Sequence, residues 1–346
     1  MGRIIGMDLG DKQHVVVALD RATGEELEVA RMGNTAKQVQ RYFSAHAGSV
    51  VVMEAGTHSA WIGRLLVSLG CEVHVGNPRR LRAIWDADDK SDERDARILA
   101  LMYRLEPRLL HEVFHRSESA QVDLEVIKAR NQLVECRSKL INHVRCVVKG
   151  IGSRLPSGGA DGFARRAREH LPPALAESLG SVLEVIEQIT EQIRHQDRRI
   201  ETLCGKYPET QCLRQVPGVG PVTALAYVLT LEEPDRFAKS RTAGAFVGLT
   251  PRRDQSGETD KQLRITKAGN TYLRQLLISC AHYILGPFGP PSDLRRYGER
   301  IAARGGKNAK KRAVVAVARK LAVLLHRLWV SRGVYVAEGF KARKAA

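Results

Sequence analysis

Apolar positions along the first hundred residues come in short runs with strand-like periods. The pattern predicts strands at Arg3–Asp8, His14–Asp20 (HVVVALD) and 27–33 (LEVARMG), joined by tight turns as in a meander. Asn34 is placed to cap a helix over 35–47. Ser49–Glu54 (SVVVME) is an unbroken, mostly β-branched run, which predicts a buried central strand parallel to the first. A helix over 59–69, a strand over 72–76 (EVHVG) and a helix starting near Ser91 complete the series. The order is three strands, helix, strand, helix, strand, helix, so the fold class of this part is α/β with a mixed sheet.

The period then lengthens. Residues 119–150 and 174–206 read as two long helices. In the second, Val182, Ile186, Ile189, Ile193, Ile200 and Leu203 follow a heptad seam with a polar gap near Gln196. In the first, Leu133, Leu140 and Val147 recur every seven residues, beside Val134, Ile141 and Val148. Gly and Pro within 150–172 mark the turn between them, and an antiparallel hairpin or coiled coil follows. From residue 207 the composition shifts. QVPGVGPVTALAYVL (215–229) is a Gly-Pro turn feeding a helix, 250–269 is a basic loop, and helices run from Thr271 to about Leu285 and from about Ala309 to Trp329. The expected domains are 1–112, α/β; 113–206, a helical spacer; and 207–346, mainly helical.

Composition narrows the function classes. An apolar fraction of 43% in 346 residues is that of a globular chain, which excludes disorder as the class. The net charge of +17 and the pI near 9.9 point to a polyanionic partner, nucleic acid above all. The charge is uneven: twelve Lys or Arg against the single acid Glu338 lie between Arg304 and Lys344. The six cysteines form no C-x-x-C pair and no zinc spacing, so they read as reduced, mostly buried residues of a cytoplasmic protein. Residues 4–20 alternate instead of forming a signal h-region, and no apolar run approaches the roughly 20 residues that span a bilayer.

Four acids stand out by placement. Asp8 ends the first strand and Glu54 the fourth; Asp92 and Asp95 sit three apart at a helix start, inside KSDERDA. Residues three apart share a helix face, and carboxylates from two strand ends and a helix can converge on a pair of hard cations. An all-oxygen donor set favours Mg²⁺ or Mn²⁺ over zinc. Each acid has a plainer reading as well. Asp8, with Asp11 near it, suits a turn. Asp92 and Asp95 suit a helix N-terminus, in a loop already made acidic by Asp86, Asp88, Asp89 and Glu93. Glu54 resists that reading, because a carboxylate closing a buried strand needs a partner.

A second signal lies in GLTPRRDQSGETDKQLRITKAGNTYLRQLL (248–277), where Ser256 precedes Gly257 among Arg252, Arg253, Lys261, Arg264 and Lys267. A serine hydroxyl attacks phosphorus once its proton is removed and the phosphoryl charge is clamped. The arginines supply a clamp. No histidine lies in the loop to act as base, and Asp254 and Glu258 are the candidates for that role. On local spacing alone, Ser-Gly is the signature of a turn. VPGVGPVTAL (216–225) looks like a helix-hairpin-helix, whose Gly218 and Gly220 present backbone N–H groups at a helix start to a DNA phosphate; its plainer reading is a helix connector. Lys310, Lys311 and Arg312 are further candidates for backbone phosphates.

Taken together, D8 … E54 … KSDERDA, a helical spacer, VPGVGPVTA and GLTPRRDQSG … ITKAGN..LR resemble the DEDD/serine transposases of bacterial insertion sequences, relatives of a site-specific DNA invertase. The strand and helix order resembles that of the ribonuclease H superfamily, and GPFGP (286–290) resembles one subgroup of the transposase family. The resemblance implies an N-terminal RuvC-like domain, a coiled-coil region and a C-terminal transposase domain. It implies a metal-binding tetrad of Asp8, Glu54, Asp92 and Asp95, and a nucleophile at Ser256, where Gln255 replaces the first serine of the family's common Ser-Ser-Gly. It also implies donor and target DNA, a structured noncoding bridge RNA as guide, and a site composed from two protomers of a homodimer or homotetramer. Two rival functions use the same features. One is a metal-dependent, structure-specific endonuclease that leaves Ser256 idle. The other is a nucleic-acid-binding relative without catalysis.

Overall fold

The computed structural model describes residues 2–81, 91–257 and 259–338, the side chains of Lys261 and Gln262 apart; contacts divide the chain into two compact units, Met1–Glu118 and Ser119–Ala346. In the first unit, β1 (Arg3–Leu9), β2 (Gln13–Asp20), β3 (Glu26–Gly33), β4 (Val50–Glu54) and β5 (Glu72–Gly76) form one sheet in the order β3-β2-β1-β4-β5. The first three pair antiparallel; β4 runs parallel to β1, and β5 parallel to β4. The helices are α1 (Ala36–Phe43), α2 (Ser59–Ser68), α3 (Pro78–Leu81) and α4 (Asp92–Leu105).

Strand alternation sorts the side chains into two cores. Ile5, Met7, Val16, Val51 and Met53 pack with Phe43 and Ile62 of α1 and α2. Ile4, Val17, Leu19, Val50 and Val52 pack on the other face with Ala96, Leu99 and Ala100 of α4. One local expectation is corrected. Thr35, not Asn34, caps α1, its hydroxyl accepting from the Gln38 N–H at 3.4 Å. Asn34 is occupied elsewhere: its Oδ1 accepts from His14 Nε2 at 3.0 Å and its Nδ2 donates to the Asp11 carbonyl at 2.9 Å.

The second unit opens with α5 (Glu118–Gly150), α6 (Phe163–His170) and α7 (Pro173–Lys206). The long pair is antiparallel, since Arg130 reaches Asp197 at 2.5 Å while Arg137 reaches Thr190 at 3.2 Å. The buried stripe of α7 is Leu179, Leu183, Ile186, Thr190, Ile193, Ile200 and Cys204. Of the seam read from sequence, Ile186, Ile193 and Ile200 lie on this stripe, while Val182, Ile189 and Leu203 lie beside it, half-buried. The stretch 150–172 is more than a turn, because α6 buries Phe163, Ala164 and Ala167 against the far end of the hairpin.

The near end of the hairpin shares a core with the remaining helices: α8 (Glu209–Arg214), α9 (Pro221–Leu231), α10 (Arg241–Phe246), α11 (Thr271–Leu285), α12 (Asp293–Ala302) and α13 (Ala309–Ser331). Helix α9 is buried at every residue from Thr223 to Leu231 and lies at the centre. The basic loop expected at 250–269 is instead a β-hairpin, β6 (Pro251–Ser256) against β7 (Thr259–Ile265). Of the cysteines, Cys71, Cys204 and Cys280 are buried, but Cys136 and Cys146 are exposed on α5.

Candidate carboxylate centre and serine hairpin

The carboxylates are placed by backbone geometry. Strands β1 and β4 pair in register as far as Met7 opposite Met53, so Asp8 and Glu54 follow side by side at the two strand ends. Both share the strand face of Ile4, Val50 and Val52, the face that packs on α4. Gly6 fixes how close that helix comes. A Cβ at Gly6 would overlap the Ala96 carbonyl and stand 3.0 Å from the Ala100 nitrogen, so only glycine lets α4 lie on β1. Asp8 is two residues beyond Gly6 on the same face, and Asp95 directly precedes Ala96. The first turn of α4 is thereby brought to the strand ends.

Within α4, Asp92 and Asp95 continue the stripe of Ala96 and Leu99 at i, i+3, i+4 and i+7. Ser91 starts the helix, its hydroxyl accepting from the Arg94 N–H at 3.3 Å. The remaining acid of that turn, Glu93, is paired with Arg31 at 2.7 Å, and Arg97 pairs with Glu26. These two bridges hold the neighbouring face of α4 to β3. Asp8, Glu54 and Asp95 are half-buried and Asp92 is exposed. The donor set, oxygen only, suits a hard divalent cation. Among the described residues, however, no group of three or more His, Cys, Asp or Glu stands close enough to hold an ion. The four acids share a sheet end and a face without closing into a ligand cage. Asp86, Asp88 and Asp89 lie outside the described residues.

The serine stands at the tip of the β-hairpin. Ser256 is the last residue of β6, paired with Thr259 and followed by Gly257 at φ +52°. It is exposed, as are Arg252, Arg264 and Lys267. Asp254 is two residues back on the same strand face and opposite Lys261; Glu258 and the Lys261 side chain lie outside the described residues. Arg253 is paired within the hairpin. Its Nε and Nη2 donate to the two Asp260 oxygens at 2.7 and 2.6 Å. That bidentate bond holds the Asp260 carboxyl below the usual carboxylate range.

The base of the hairpin is pinned by a residue that the site reading passed over. Arg274, buried on α11, donates to the Val247 and Ala268 carbonyls at 3.1 and 2.9 Å and to Thr271 Oγ1 at 3.1 Å. Asn270 caps the same helix, accepting from the Leu273 N–H at 2.8 Å. The signal was present in the run GNTYLR, where a capping residue precedes an arginine on an apolar face.

The glycine turn joins α8 to α9. Gly218 has φ +88°, and a Cβ there would stand 2.7 Å from the Tyr283 ring. Gly220 is the extended residue before Pro221, with open space where a Cβ would point. Lys310, Lys311 and Arg312 lie exposed in the first turn of α13, and Arg312 Nη2 donates to the Gly305 carbonyl at 3.0 Å.

Comparison with known proteins covers both units. Residues 5–152 match a DEDD transposase family model described as "Transposase", and residues 210–298 match the "Transposase IS116/IS110/IS902 family". Similar relatives include the transposase for insertion sequence element IS1111A of Coxiella burnetii, 26% identical over 96% of this chain and 91% of the relative. The transposase for IS1328 of Yersinia enterocolitica is 27% identical over 80% of this chain and 82% of its own length. A probable family 20 transposase of Pseudomonas aeruginosa is 26% identical, with 93% and 95% covered.

Proposed function

Because the chain is a transposase of the IS110/IS116 family, a class that acts on DNA by cleavage and strand transfer, we propose that it exchanges DNA strands through a serine-linked intermediate. The observation that carries the reading is the placement of Asp8 and Glu54 at adjacent strand ends under the first turn of α4, which brings Asp92 and Asp95 to the same face. DEDD-type transposase domains generally use divalent metals. In this reading Asp8, Glu54, Asp92 and Asp95 of a RuvC-like fold would hold Mg²⁺ or Mn²⁺, and the bound ion would supply charge stabilisation to a phosphodiester.

Ser256 Oγ forms a bond to phosphorus, and the bond from phosphorus to the 3′-oxygen breaks. The Ser256 proton passes to Asp254 or Glu258, and the released 3′-oxygen is protonated. Attack by a second 3′-hydroxyl then reverses the step on a new strand. Arg252, Arg264 and Lys267 hold phosphate oxygens near the hairpin. The α8–α9 glycine turn, as a helix-hairpin-helix, and Lys310 and Lys311 take backbone phosphates farther along the duplex. The reading keeps three functional parts (1–112, 113–206 as a coiled coil, and 207–346) in a cytoplasmic dimer or tetramer guided by a noncoding RNA.

Ser256→Ala tests it. The variant is expected to bind DNA as the wild type does and to form no covalent adduct on a labelled recombination site in a denaturing gel. Stability should hardly change at an exposed hairpin tip. Asp8→Ala and Glu54→Ala should lose the adduct too. Recombination by Ser256→Ala at the wild-type rate would replace this mechanism with the metal-dependent endonuclease.

A further inference from the structure

We infer that the cleft between α12, α13 and residues 335–337 binds one unpaired nucleotide of single-stranded DNA, a role that neither the carboxylates nor Ser256 fills. The cleft has a volume of about 800 Å³, inside the roughly 300–1,000 Å³ range of sites that enclose small molecules. Its floor is apolar, built from Leu294, Val323 and Leu324, and Tyr335 is the aromatic residue of its lining. Its rim is cationic: Arg296, Arg300, Lys320 and Arg327 line it against Asp293 and Glu299.

Both acids are paired, Asp293 by a lining arginine and Glu299 by Arg295, which is not part of the lining. Arg296 pairs with Asp293 at 2.7 Å, and Arg295 pairs with Glu299 at 2.8 Å. The lining therefore keeps two more cations than acids. Arg300 follows Arg296 by one turn of α12. Lys320 of α13 is held with its ammonium 4.0 Å from the Tyr297 ring centroid. The third wall is fixed in place. The Asp293 N–H donates to the Ala337 carbonyl at 2.8 Å, Arg296 bonds Glu338 at 2.6 Å, and the Tyr335 N–H donates to Gln215 Oε1 at 2.9 Å. Those bonds hold the wall through the protein's own contacts, so binding orders little protein.

Base and phosphate make different demands. A base enters apolar, aromatic surroundings, and its phosphate takes cations at the rim. A duplex keeps its bases stacked and offers a concave pocket only phosphates. An acidic peptide matches the rim but lays backbone polar groups on an apolar floor, where unpaired groups are costly. DNA is the source because transposases act on DNA, and the strand exchange proposed above, on which this step rests, frees a 3′ end.

The test is fluorescence anisotropy of the full chain in EDTA, which removes cleavage from the readout. The probes are a twelve-nucleotide oligo(dT), its abasic counterpart, a duplex of equal length and oligo(U). Oligo(dT) is expected to bind at least about fivefold more tightly than the abasic strand, the low end of about one to three kcal/mol per stacked base. Arg300→Glu with Lys320→Glu, and separately Ala303→Trp to fill the cleft, should each weaken oligo(dT) about tenfold or more and shift duplex binding less than about twofold. Unchanged thermal melting certifies the fold of each variant. Equal affinity for the abasic strand, equal losses for duplex, preference for oligo(U), or displacement of oligo(dT) by polyglutamate at matched charge would each overturn the inference. These outcomes are independent of adduct formation, so they leave the serine reading to its own test.

Discussion

Gly6 positions the first unit's candidate site through what it lacks. The Ala96 carbonyl occupies the space of the missing Cβ, so α4 lies close on β1 and its first turn reaches the strand end that carries Asp8. Gly6→Ala must push the helix off the strand or leave it strained, at a cost of about 1–3 kcal/mol. The expected outcome is a lower melting temperature and loss of divalent-ion protection in a thermal shift. A variant that melts and responds to Mg²⁺ like the wild type would remove Gly6 from the argument. His14 is a second residue with a consequence. It is fully buried, its Nδ1 has no hydrogen-bond partner among the described residues, and burial lowers its pKa from 6.5. His115 is lowered for the same reason. The folded state resists protonating both rings while the unfolded chain accepts the protons. Their contribution is complete above the unfolded value of about 6.5 and declines as the pH falls below it. Denaturant midpoints should drop between pH 7 and pH 5, and His14→Gln should flatten that drop. An equal drop in the variant would assign it elsewhere.

At the scale of elements, the α5–α7 hairpin is cut by polar layers. Arg137 is 8% exposed, donates to Asp161 at 2.7 Å and Thr190 at 3.2 Å, and sits between the apolar contacts above and below it. Arg137→Ala removes two hydrogen bonds and a packed stem, and about 2 kcal/mol of stability should be lost by calorimetry. A loss under about 0.5 kcal/mol would make the layer a solvated pair. The strands and the start of α4 were legible because alternation and a Ser cap are local signals: β-branched runs marked β2 and β4, and Ser91 marked the helix. The α7 seam was legible in part: Ile186, Ile193 and Ile200 are on the buried stripe, and Val182, Ile189 and Leu203 are one position from it. Val182 and Ile189 carry the same heptad period as Leu183 and Thr190, and apolarity alone does not say which row meets α5. The β6–β7 hairpin was hidden by its polarity, since Arg252, Arg253, Asp254 and Arg264 are exposed and bury no face. What holds that hairpin is ladder pairing and the Arg253–Asp260 bridge, which an apolar pattern does not report. The carboxylates were legible as strand ends. What brings the first turn of α4 to those strand ends, Gly6 against Ala96, is a tertiary contact.

At the scale of the molecule, the surplus of +17 sets how the chain meets a polyanion. Backbone phosphates bind with release of counterions, so affinity falls with salt at about 0.9 log unit per log unit of salt for each phosphate neutralised. Lys310, Lys311 and Arg312 are three adjacent exposed cations on the first turn of α13. Arg312 already donates to the Gly305 carbonyl, which leaves its other nitrogens for phosphate. Replacing all three with Ala should weaken duplex binding and shallow the salt slope by about two to three units, with Lys310 and Lys311 carrying most of it. The loss should be the same for unrelated duplex sequences, because phosphate contacts carry no sequence information. The measurement is duplex affinity over a series of salt concentrations. A slope equal to that of the wild type would place these cations on a solvated face and return the charge surplus to other parts of the surface.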